Sequence, residues 1–344
     1  MTTHRRPVVA AVAGAFAVLF LLSGCSASPE TPAPSADSLV VSGCPRGTGV
    51  STADELSAAL ENARPGDTIV LADGRYAGEF TATAVATEAQ PVVLCGSAGA
   101  VLDGGSVDSG YTLHLDRAEH WRLEGFTVSG GQKGVMLDGA SHNVLSGLTV
   151  SAVGDEAVHL RAGSSDNLLE GITVTGTGLR DPEFGEGIYI GTAESNWCDI
   201  SDCEPDRSDR NRIVGATVSG TTAETVDVKE GTTGGELTGS ILDGSAISAV
   251  DSLVDVKGND WAITGNTGTA APEDGAQVHV ILEGWGRDND FAGNTFAVAG
   301  AGVAIAIVGD ARDSGNVVHC DNTATVDGRP ATSTASLSNV ACTG

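Results

Sequence analysis

The segment Ala223-Glu224-Thr225-Val226-Asp227-Val228-Lys229-Glu230 belongs to a series of short strands that recurs along the chain. In each strand two apolar residues flank one variable residue, and because side chains alternate between faces, the apolar pair points to one side. The other members are residues 113–116, 135–138, 158–161, 188–191, 254–257 and 278–281. We predict that they stack with these side chains inside: Val135, Val158, Ile188, Val226, Val254 and Val278.

A second strand, with a glycine at its centre, alternates with the first. Its clearest members are residues 123–128, 145–150, 169–174 and 213–218, and weaker copies surround Gly239, Gly265, Gly293 and Gly315. Asparagines that we expect to hydrogen-bond from coil to coil recur before these strands at Asn143, Asn167, Asn211 and Asn289. The alternation gives about seven or eight coils of roughly 22 to 28 residues, the period of a solenoid. The sequence therefore predicts an all-β fold, a single-stranded right-handed parallel β-helix from about residue 66 to 320.

The composition fits one elongated domain. The 344 residues include 47 glycines and only 4% aromatic residues, which suits tight corners and thin coils. The formal net charge of −27 excludes nucleic acid and an anionic membrane surface as partners, because both would repel the chain. We expect a monomer.

The N-terminus predicts export and lipidation. Arg5-Arg6 precede an apolar run that ends in Leu22-Ser23-Gly24-Cys25, which resembles the lipobox of bacterial lipoproteins. We interpret residues 1–25 as a lipoprotein signal peptide, 26–43 as a flexible linker rich in Pro, Ser and Ala, and 44–344 as the β-helix domain. The protein would sit on the extracytoplasmic face of a bacterial cell membrane, held through lipid on Cys25 only.

Six cysteines remain after Cys25, and an even number in an exported chain predicts disulfides. Six cysteines allow 15 pairings. Sequence proximity and the coil arrangement favour Cys44 with Cys95, Cys198 with Cys203, and Cys320 with Cys342. A zinc site at the middle pair is the alternative.

A short helix is predicted to cap the open N-terminal end of the solenoid. Ser51-Thr52 followed by Asp54-Glu55 is typical of a helix start, and the helix would extend over residues 51–63. From Asp54 through Pro65-Gly66-Asp67-Thr68 to Tyr76, the sequence resembles the opening of right-handed parallel β-helix proteins, especially the alginate lyase and chondroitinase B family of polysaccharide lyases. That resemblance implies the same fold.

Two intervals between successive strands are longer than the period. The extra residues fall at 178–185 and 192–210. Loops that extend from one region of a rigid solenoid commonly form the walls of a site, so we expect one here.

Equivalent positions of stacked coils form columns at about 4.8 Å spacing, and two of these columns are charged. One column contains Glu156, Glu186 and Glu224, and the other contains Arg161, Lys229 and Lys257. Three stacked carboxylates repel one another unless a cation, shared protons or neighbouring lysines compensate. Ca²⁺ suits such a set, and a solvated ladder neutralised by lysines is the alternative.

The resemblance assigns roles to some of these residues. Glu224 and Lys229 resemble the calcium-binding glutamate and the catalytic base of the family, and a lysine crowded by cations would have a lowered pKa. The family's acid is an arginine, where this chain has Lys257, and a second calcium-binding glutamate is replaced by Thr222. The metal site would then be Glu156, Glu186 and Glu224. Candidate substrate-binding residues are Arg161, Tyr189, Asp227, Asp255, His279, Trp285 and Arg287.

Three functions remain open from the sequence. The first is a calcium-assisted polysaccharide lyase that acts by β-elimination on a uronate-containing polymer, with a polysaccharide or cell-surface glycan as partner. The second is a glycoside hydrolase that uses two carboxylates from the set Glu156, Glu186, Glu224, Asp227 and Asp255. The third is a non-catalytic glycan-binding or structural β-helix lipoprotein.

Overall fold

The computed structural model describes residues 41–108, 110–299, 301–326, 328–330 and 336–344. All of these residues belong to one compact unit. The predicted signal peptide, Cys25 and most of the predicted linker lie outside the described residues. Within the described part of the chain, no helix has the length and apolar character needed to cross a membrane.

Short strands make up nearly all of the regular structure. They are β1 (Thr48–Val50), β2 (Thr68–Leu71), β3 (Gly74–Ala77), β4 (Phe80–Ala82), β5 (Val92–Cys95), β6 (Ala100–Asp103), β7 (Tyr111–Asp116), β8 (Trp121–Glu124), β9 (Thr127–Ser129), β10 (Lys133–Asp138), β11 (Val144–Ser146), β12 (Thr149–Ser151), β13 (Val158–Arg161), β14 (Leu168–Glu170), β15 (Thr173–Thr175), β16 (Ile188–Ile190), β17 (Arg212–Val214), β18 (Thr217–Ser219), β19 (Val226–Val228), β20 (Glu236–Thr238), β21 (Ile241–Asp243), β22 (Ser252–Val256), β23 (Ala262–Thr264), β24 (Thr267–Ala271), β25 (Asp274–Val278), β26 (Asp290–Ala292), β27 (Thr295–Val298), β28 (Ile305–Ile307), β29 (Val317–Val318), β30 (Thr323–Val326) and β31 (Arg329–Pro330). The helices are α1 (Ala53–Glu61), α2 (Trp197–Ile200) and three 3₁₀ helices, Pro182–Phe184, Glu194–Asn196 and Gly309–Asp313.

The strands form three sheets that run the length of the solenoid. Sheet A has 11 strands in the order β1-β2-β5-β8-β11-β14-β17-β20-β23-β26-β29. Sheet B has 11 strands in the order β3-β6-β9-β12-β15-β18-β21-β24-β27-β30-β31, and sheet C has nine in the order β28-β25-β22-β19-β16-β13-β10-β7-β4. All pairings between these strands are parallel except β30 with β31. The predicted parallel β-helix is confirmed.

Sheet C contains the column of strands identified first in the sequence. Val226 of β19 pairs with Ile188 of β16 on one side and with Val254 of β22 on the other. All six predicted interior residues, Val135, Val158, Ile188, Val226, Val254 and Val278, are fully buried. The same register places the residue between the two apolar residues of each strand in a column on the outer side of sheet C.

The repeating glycine lies at a corner and not at the centre of a strand, which corrects the sequence prediction. Gly125 separates β8 of sheet A from β9 of sheet B and has a φ of +82°, which favours glycine over other residues. The predicted two strands per coil are therefore three. Gly315 does not belong to the column of corner glycines. Val318 pairs with Phe291, and the same offset makes Cys320 the residue equivalent to Gly293.

The predicted alignment of the strand at 278–281 is wrong by two residues. Val256 pairs with Val278, and Asp255 pairs with Gln277, so His279 is not the neighbour of Asp255 in the column. The apolar alternation continues on both sides of Val278, and a shift of two residues preserves which face is buried. The pattern alone therefore allowed both registers.

Side chains stabilise the ends and corners as predicted. Thr52 and Glu55 form a reciprocal capping box at the start of α1, whose Leu56 and Leu60 are buried. The three predicted disulfides are present. The predicted hydrogen bonds from coil to coil are present. Asn143 donates to the side-chain oxygen of Asn167, and Asn167 donates to that of Asn211, whereas Asn289 lies apart from this ladder and donates to Asn316. A second ladder joins Asn266, Asn294 and Asn322.

Replacing Val226 with Asp should prevent folding. The new carboxylate would be buried between Ile188 and Val254 without a partner, which costs several kcal/mol against a typical total stability of about 5–15 kcal/mol. Circular dichroism and thermal unfolding of the purified protein measure the effect. Thr217→Asp, at an exposed position of β18, is the control and should fold normally. A cooperatively folded Val226→Asp protein would contradict the assigned register.

Candidate active site

A cavity of about 560 Å³ lies over sheet C, along β10, β13, β16 and the end of β19. Charged and polar side chains dominate its lining. The lining residues are Gln132, Lys133, Asp155, Glu156, His159, Arg161, Arg180, Glu183, Phe184, Glu186, Tyr189, Thr192, Ala193, Ser195, Asn196, Asp199, Ile200 and Lys229.

The two predicted insertions form the walls of this cavity. Residues 178–185, the first wall, precede β16, and residues 192–210, the second wall, follow it. In the first wall, Arg180 donates two hydrogen bonds to the buried carboxylate of Asp155, at 2.8 and 2.6 Å. The first wall is therefore attached to the preceding coil.

Buried carboxylates attach the second wall to the coils beneath it. Asp206 accepts hydrogen bonds from the backbone N–H groups of Ala162 and Gly163, both at 2.9 Å, and from the hydroxyl of Thr192 at 2.7 Å. Glu230 accepts a backbone N–H of the second wall at 2.6 Å. The Cys198–Cys203 disulfide closes a short loop within this wall. Both walls are thus held in place by directional bonds.

The outer side of sheet C forms the floor of the cavity, and it contains a chain of alternating charges. Asp227 is buried between two ammonium groups, with Lys229 Nζ at 2.6 Å and Lys257 Nζ at 2.8 Å, and Lys257 also lies 2.7 Å from Asp255. Burial alone would lower the pKa of Lys229, but the charge and hydrogen bond of Asp227 raise it above its usual range. The lowered lysine pKa expected from the sequence is therefore wrong, because the nearest charged neighbours of Lys229 are anions.

Three carboxylates converge beside this chain. One oxygen from each of Glu186, Glu224 and Asp227 lies within 4.8 Å of the others. Glu186 Oε2 is buried and has no hydrogen-bond partner, and Glu186 and Glu224, unlike Asp227, form no ion pair among the described residues. Together with Asp255, these three carboxylates carry four negative charges when ionised. The ammonium groups of Lys229 and Lys257 balance two of them, which leaves an excess of two negative charges. This excess fits either two protons or one divalent cation.

The pKa values of the two unpaired glutamates reflect that excess. Burial, followed by the charges of Glu156 and Asp227, raises the pKa of Glu186 well above its usual value. Burial and the charge of Asp227 raise the pKa of Glu224 to about 7, although Lys257 opposes the rise. Glu156, the third predicted metal ligand, is not in this cluster, and Asp227 takes its place.

Glu156 instead binds a cation of its own. Lys133 Nζ lies 2.5 Å from its carboxylate, and His159 Nδ1 lies 3.3 Å away. Burial would raise the pKa of Glu156, but His159 and Lys133 hold it at about 2. Burial and the charge of Lys133 lower the pKa of His159, whose Nε2 donates to the carbonyl of Gly191 at 3.0 Å. The imidazole is thus held in place within the floor by contacts at both ring nitrogens.

Tyr189 lies between these two groups of charges. Lys229 Nζ is 4.9 Å from the centre of its ring, and the ring of His159 contacts it edge to face at 4.4 Å. Burial, followed by the charges of Asp227 and Glu186, raises the pKa of Tyr189 well above its usual value. The phenol therefore keeps its proton at neutral pH and can serve as a proton donor.

One known structure combines this fold with substantial sequence identity. The crystal structure of an alginate lyase from Paenibacillus sp. str. FPU-7 matches with a TM-score of 0.73 and 36% identity, over 86% of this chain and 95% of that enzyme. The chain belongs to the polysaccharide lyase family of that enzyme. No protein-family model and no curated protein matches this lyase.

More distant structures share the fold of the lyase. Pectate lyase Pel9A matches with a TM-score of 0.57 and 16% identity, over 80% of this chain and 72% of its own. A mannuronic acid-specific polysaccharide family 6 lyase from human gut microbiota matches with a TM-score of 0.56 and 17% identity, over 80% of this chain and 64% of its own. At these identities the matches support the β-helix architecture only.

The predicted site residues of the lyase fall into four groups. Those that line the cavity are Glu156, Arg161, Glu186, Tyr189 and Lys229. Those buried in the floor without lining it are Glu224, Asp227, Asp255 and Lys257. Trp285 and Arg287 line a separate cavity formed by residues 280–288 and 310–315. His279 lines neither and contacts Gln277 at 2.7 Å.

Sequence reasoning missed several residues that line the cavity of the lyase. Lys133 occupies the same column as the glutamates, so its role as the partner of Glu156 was within reach of the coil alignment. Asp155 and Arg180 were missed because Asp155 lies just before β13, whereas Arg180 lies in the insertion before β16, and their spacing along the chain does not show that they meet. Thr222, where the family has a glutamate, donates its hydroxyl to the carbonyl of Pro182 and so anchors the first wall.

Without divalent cations, the stability of the lyase should decrease as pH rises from about 5 to about 7. The folded-state pKa of Glu224 exceeds its unfolded value, so folding binds a proton in this window, and the lost stability is about 3 kcal/mol. Glu224→Gln should flatten the decrease in melting temperature. Calcium should raise the melting temperature of the wild type more at about pH 8 than at about pH 5, because protons compete for the same oxygens.

The comparison between wild type and Glu224→Gln removes the contribution of other titrating groups. Glu236→Gln, which changes a glutamate on sheet A, is the matched control and should retain the wild-type pH profile. Identical pH profiles for the wild type and Glu224→Gln would contradict the raised pKa.

Proposed function

We propose that this polysaccharide lyase cleaves a uronate polymer of the alginate type by β-elimination, with Lys229 as the base and Tyr189 as the acid. The observation that carries the proposal is that the amine of Lys229 lies over the ring of Tyr189, and both line one cavity. The 36% identical relative is named as an alginate lyase, which favours that polymer as the substrate.

The exposure of the ion pairs supports an anionic substrate. In three pairs that line or underlie the cavity, the cation is more exposed than its carboxylate. The side-chain exposures are 14% for Lys133 against 6% for Glu156, 32% for Arg180 against 3% for Asp155, and 15% for Lys229 against 2% for Asp227. Lys133, Arg180 and Lys229 are therefore the more accessible partners of their pairs and can bind carboxylates of a substrate, while distant charges of the acidic chain are screened beyond about 8 Å at physiological salt.

The reaction requires two proton transfers. Lys229 would take the proton from the ring carbon that bears the carboxylate, and the released electron pair would form a double bond to the adjacent carbon. The bond from that carbon to the glycosidic oxygen would break, and Tyr189 would give its proton to the departing oxygen. Lys257 is a weaker candidate for the acid, because it is buried in the floor and does not line the cavity.

Lys229 must be neutral to act as the base, and the anions around it oppose the loss of its proton. Its pKa would fall if Asp227 and Glu186 were compensated by another positive charge. Calcium held by Glu186, Glu224 and Asp227 would supply such a charge and would also offset the carboxylate of the substrate. The buried, unpartnered oxygen of Glu186 supports this choice of ligands.

Hydrolysis is the second candidate, and one observation favours it. Glu156 and Glu186 both line the cavity, and their pKa values are displaced in opposite directions, as in the acid and base of a glycosidase. Elimination and hydrolysis are distinguished by their products, because only elimination leaves an unsaturated uronate that absorbs ultraviolet light.

Lys229→Ala should lower turnover of alginate by about 10²-fold or more, since that is the range for removing a general base. The measurement is the rise in ultraviolet absorbance of the unsaturated product. Arg212→Ala, which removes an exposed cation on sheet A, is the control and should keep wild-type activity. Full activity of Lys229→Ala would exclude the proposed base, and new reducing ends without absorbance would indicate hydrolysis.

We also propose that the enzyme is a lipoprotein on the extracytoplasmic face of a bacterial membrane, based on the lipobox at Leu22-Ser23-Gly24-Cys25. Replacing Cys25 with Ser removes the acceptor for the lipid. The variant should appear in the soluble fraction or accumulate as an uncleaved precursor in fractionated cells. Unchanged retention of a processed form in the membrane would count against lipidation at Cys25.

A further inference from the structure

Phe184 is an exposed aromatic residue at the edge of the cavity. Its relative exposure is 48%, and it lines the cavity from the first wall. Four other large apolar side chains are exposed in the described part of the chain, and none of them lines this cavity: Val85, Leu179, Ile241 and Ile281. A single exposed apolar residue is ordinary, but one that projects into a charged cavity is not explained by packing.

The segment that carries Phe184 is held rigidly. Phe184 ends a 3₁₀ helix whose first turn is capped by Asp181, which accepts the N–H of Glu183 at 3.1 Å. The Thr222 hydroxyl donates to the carbonyl of Pro182 at 2.9 Å. The two ends of the wall, at Gly178 and Gly185, approach Thr222 so closely that a Cβ on either would clash. The backbone that carries the aromatic ring is therefore fixed before a ligand binds.

We infer that Phe184 is a stacking platform for one sugar ring of the substrate. This inference rests on the proposed lyase function and adds a recognition element to the same cavity. A pyranose ring has an apolar face of C–H groups, which can lie on an aromatic ring, while its carboxylate projects from the ring edge. With one face on Phe184, the carboxylate of that sugar can reach the cations of the cavity, of which Arg180 belongs to the same wall.

The role follows from what Phe184 lacks. Its side chain has no group that can transfer a proton or pair with a charge, so it contributes binding and not chemistry. Its loss should raise KM and leave kcat nearly unchanged, since binding energy that is equal in the ground state and the transition state affects KM alone. An aromatic contact of this kind is typically worth about five- to tenfold in affinity.

The test compares Phe184→Ala, Phe184→Leu and Phe184→Tyr with the wild type on alginate oligosaccharides. We expect KM to rise about five- to tenfold for Phe184→Ala, to be only partly restored by Phe184→Leu, and to be near wild type for Phe184→Tyr, which keeps the aromatic face. Leu179→Ala is the matched control, because Leu179 is 56% exposed on the same wall but does not line the cavity. Its KM should be unchanged.

A binding measurement separates this inference from the lyase assignment. Calorimetric titration of the same oligosaccharide into Lys229→Ala and into the double variant Lys229→Ala/Phe184→Ala should show the same five- to tenfold difference without turnover. Equal affinities, or an unchanged KM for Phe184→Ala in an active enzyme, would overturn the stacking role alone. If the wild type cleaves no uronate polymer but the affinity difference persists, the lyase proposal fails and the platform stands. Absence of binding to both variants, together with no cleavage by the wild type, would overturn both proposals.

Discussion

The parallel hydrogen-bonding register between coils determines what every side chain of this protein contacts. Each residue of sheet C has as its lateral neighbour the equivalent residue one coil away, as Val226 has Ile188 and Val254. The apolar pair of each strand therefore fills a continuous interior, and the polar residue between them is brought beside its equivalents. A fold of this kind stacks like charges unless the sequence alternates them. The active site is built where acids and lysines occupy adjacent columns.

The charges of the floor are balanced only in part. Lys229 and Lys257 share Asp227, and Lys257 also binds Asp255, while Glu186 and Glu224 have no cationic partner among the described residues. Two negative charges in a buried position are costly, and the raised pKa values of both glutamates express that cost. Clusters of perturbed groups in a cleft are typical of functional sites. Because of the same imbalance, we expect a divalent cation and a proton to compete for these oxygens.

The walls convert this charged surface into a site with a shape. A flat sheet face could bind a polyanion at many positions, whereas the two insertions enclose the stretch from β10 to β19. Both are fixed by buried carboxylates, Asp155 for the first wall and Asp206 for the second. Rigid walls allow an exposed ring such as Phe184 to be held ready without the entropy loss of ordering a mobile loop.

The solenoid, its interior residues, the capping helix, the disulfides and the location of the cavity walls could all be predicted from the amino-acid sequence. These features depend on short periodic patterns and on neighbours close in the chain, which a sequence displays directly. It also brought Glu186, Glu224 and Lys229 into adjacent columns, because the coil alignment from Val158 to Val254 was correct. The shift of two residues at Val278 was invisible, since it preserves the alternation.

The pairing of the charges became clear only from the three-dimensional arrangement of the side chains. Glu156 was predicted to be a metal ligand, but it pairs with Lys133. Asp227 pairs with Lys229 and Lys257 and lies in the cluster of carboxylates instead. The direction of the lysine pKa shift depends on those distances and on burial, and neither can be obtained from spacing along the chain. The ion pair of Arg180 with Asp155 likewise joins an insertion to another coil. Long side chains select their partners in three dimensions, and this selection defines the chemistry of the site.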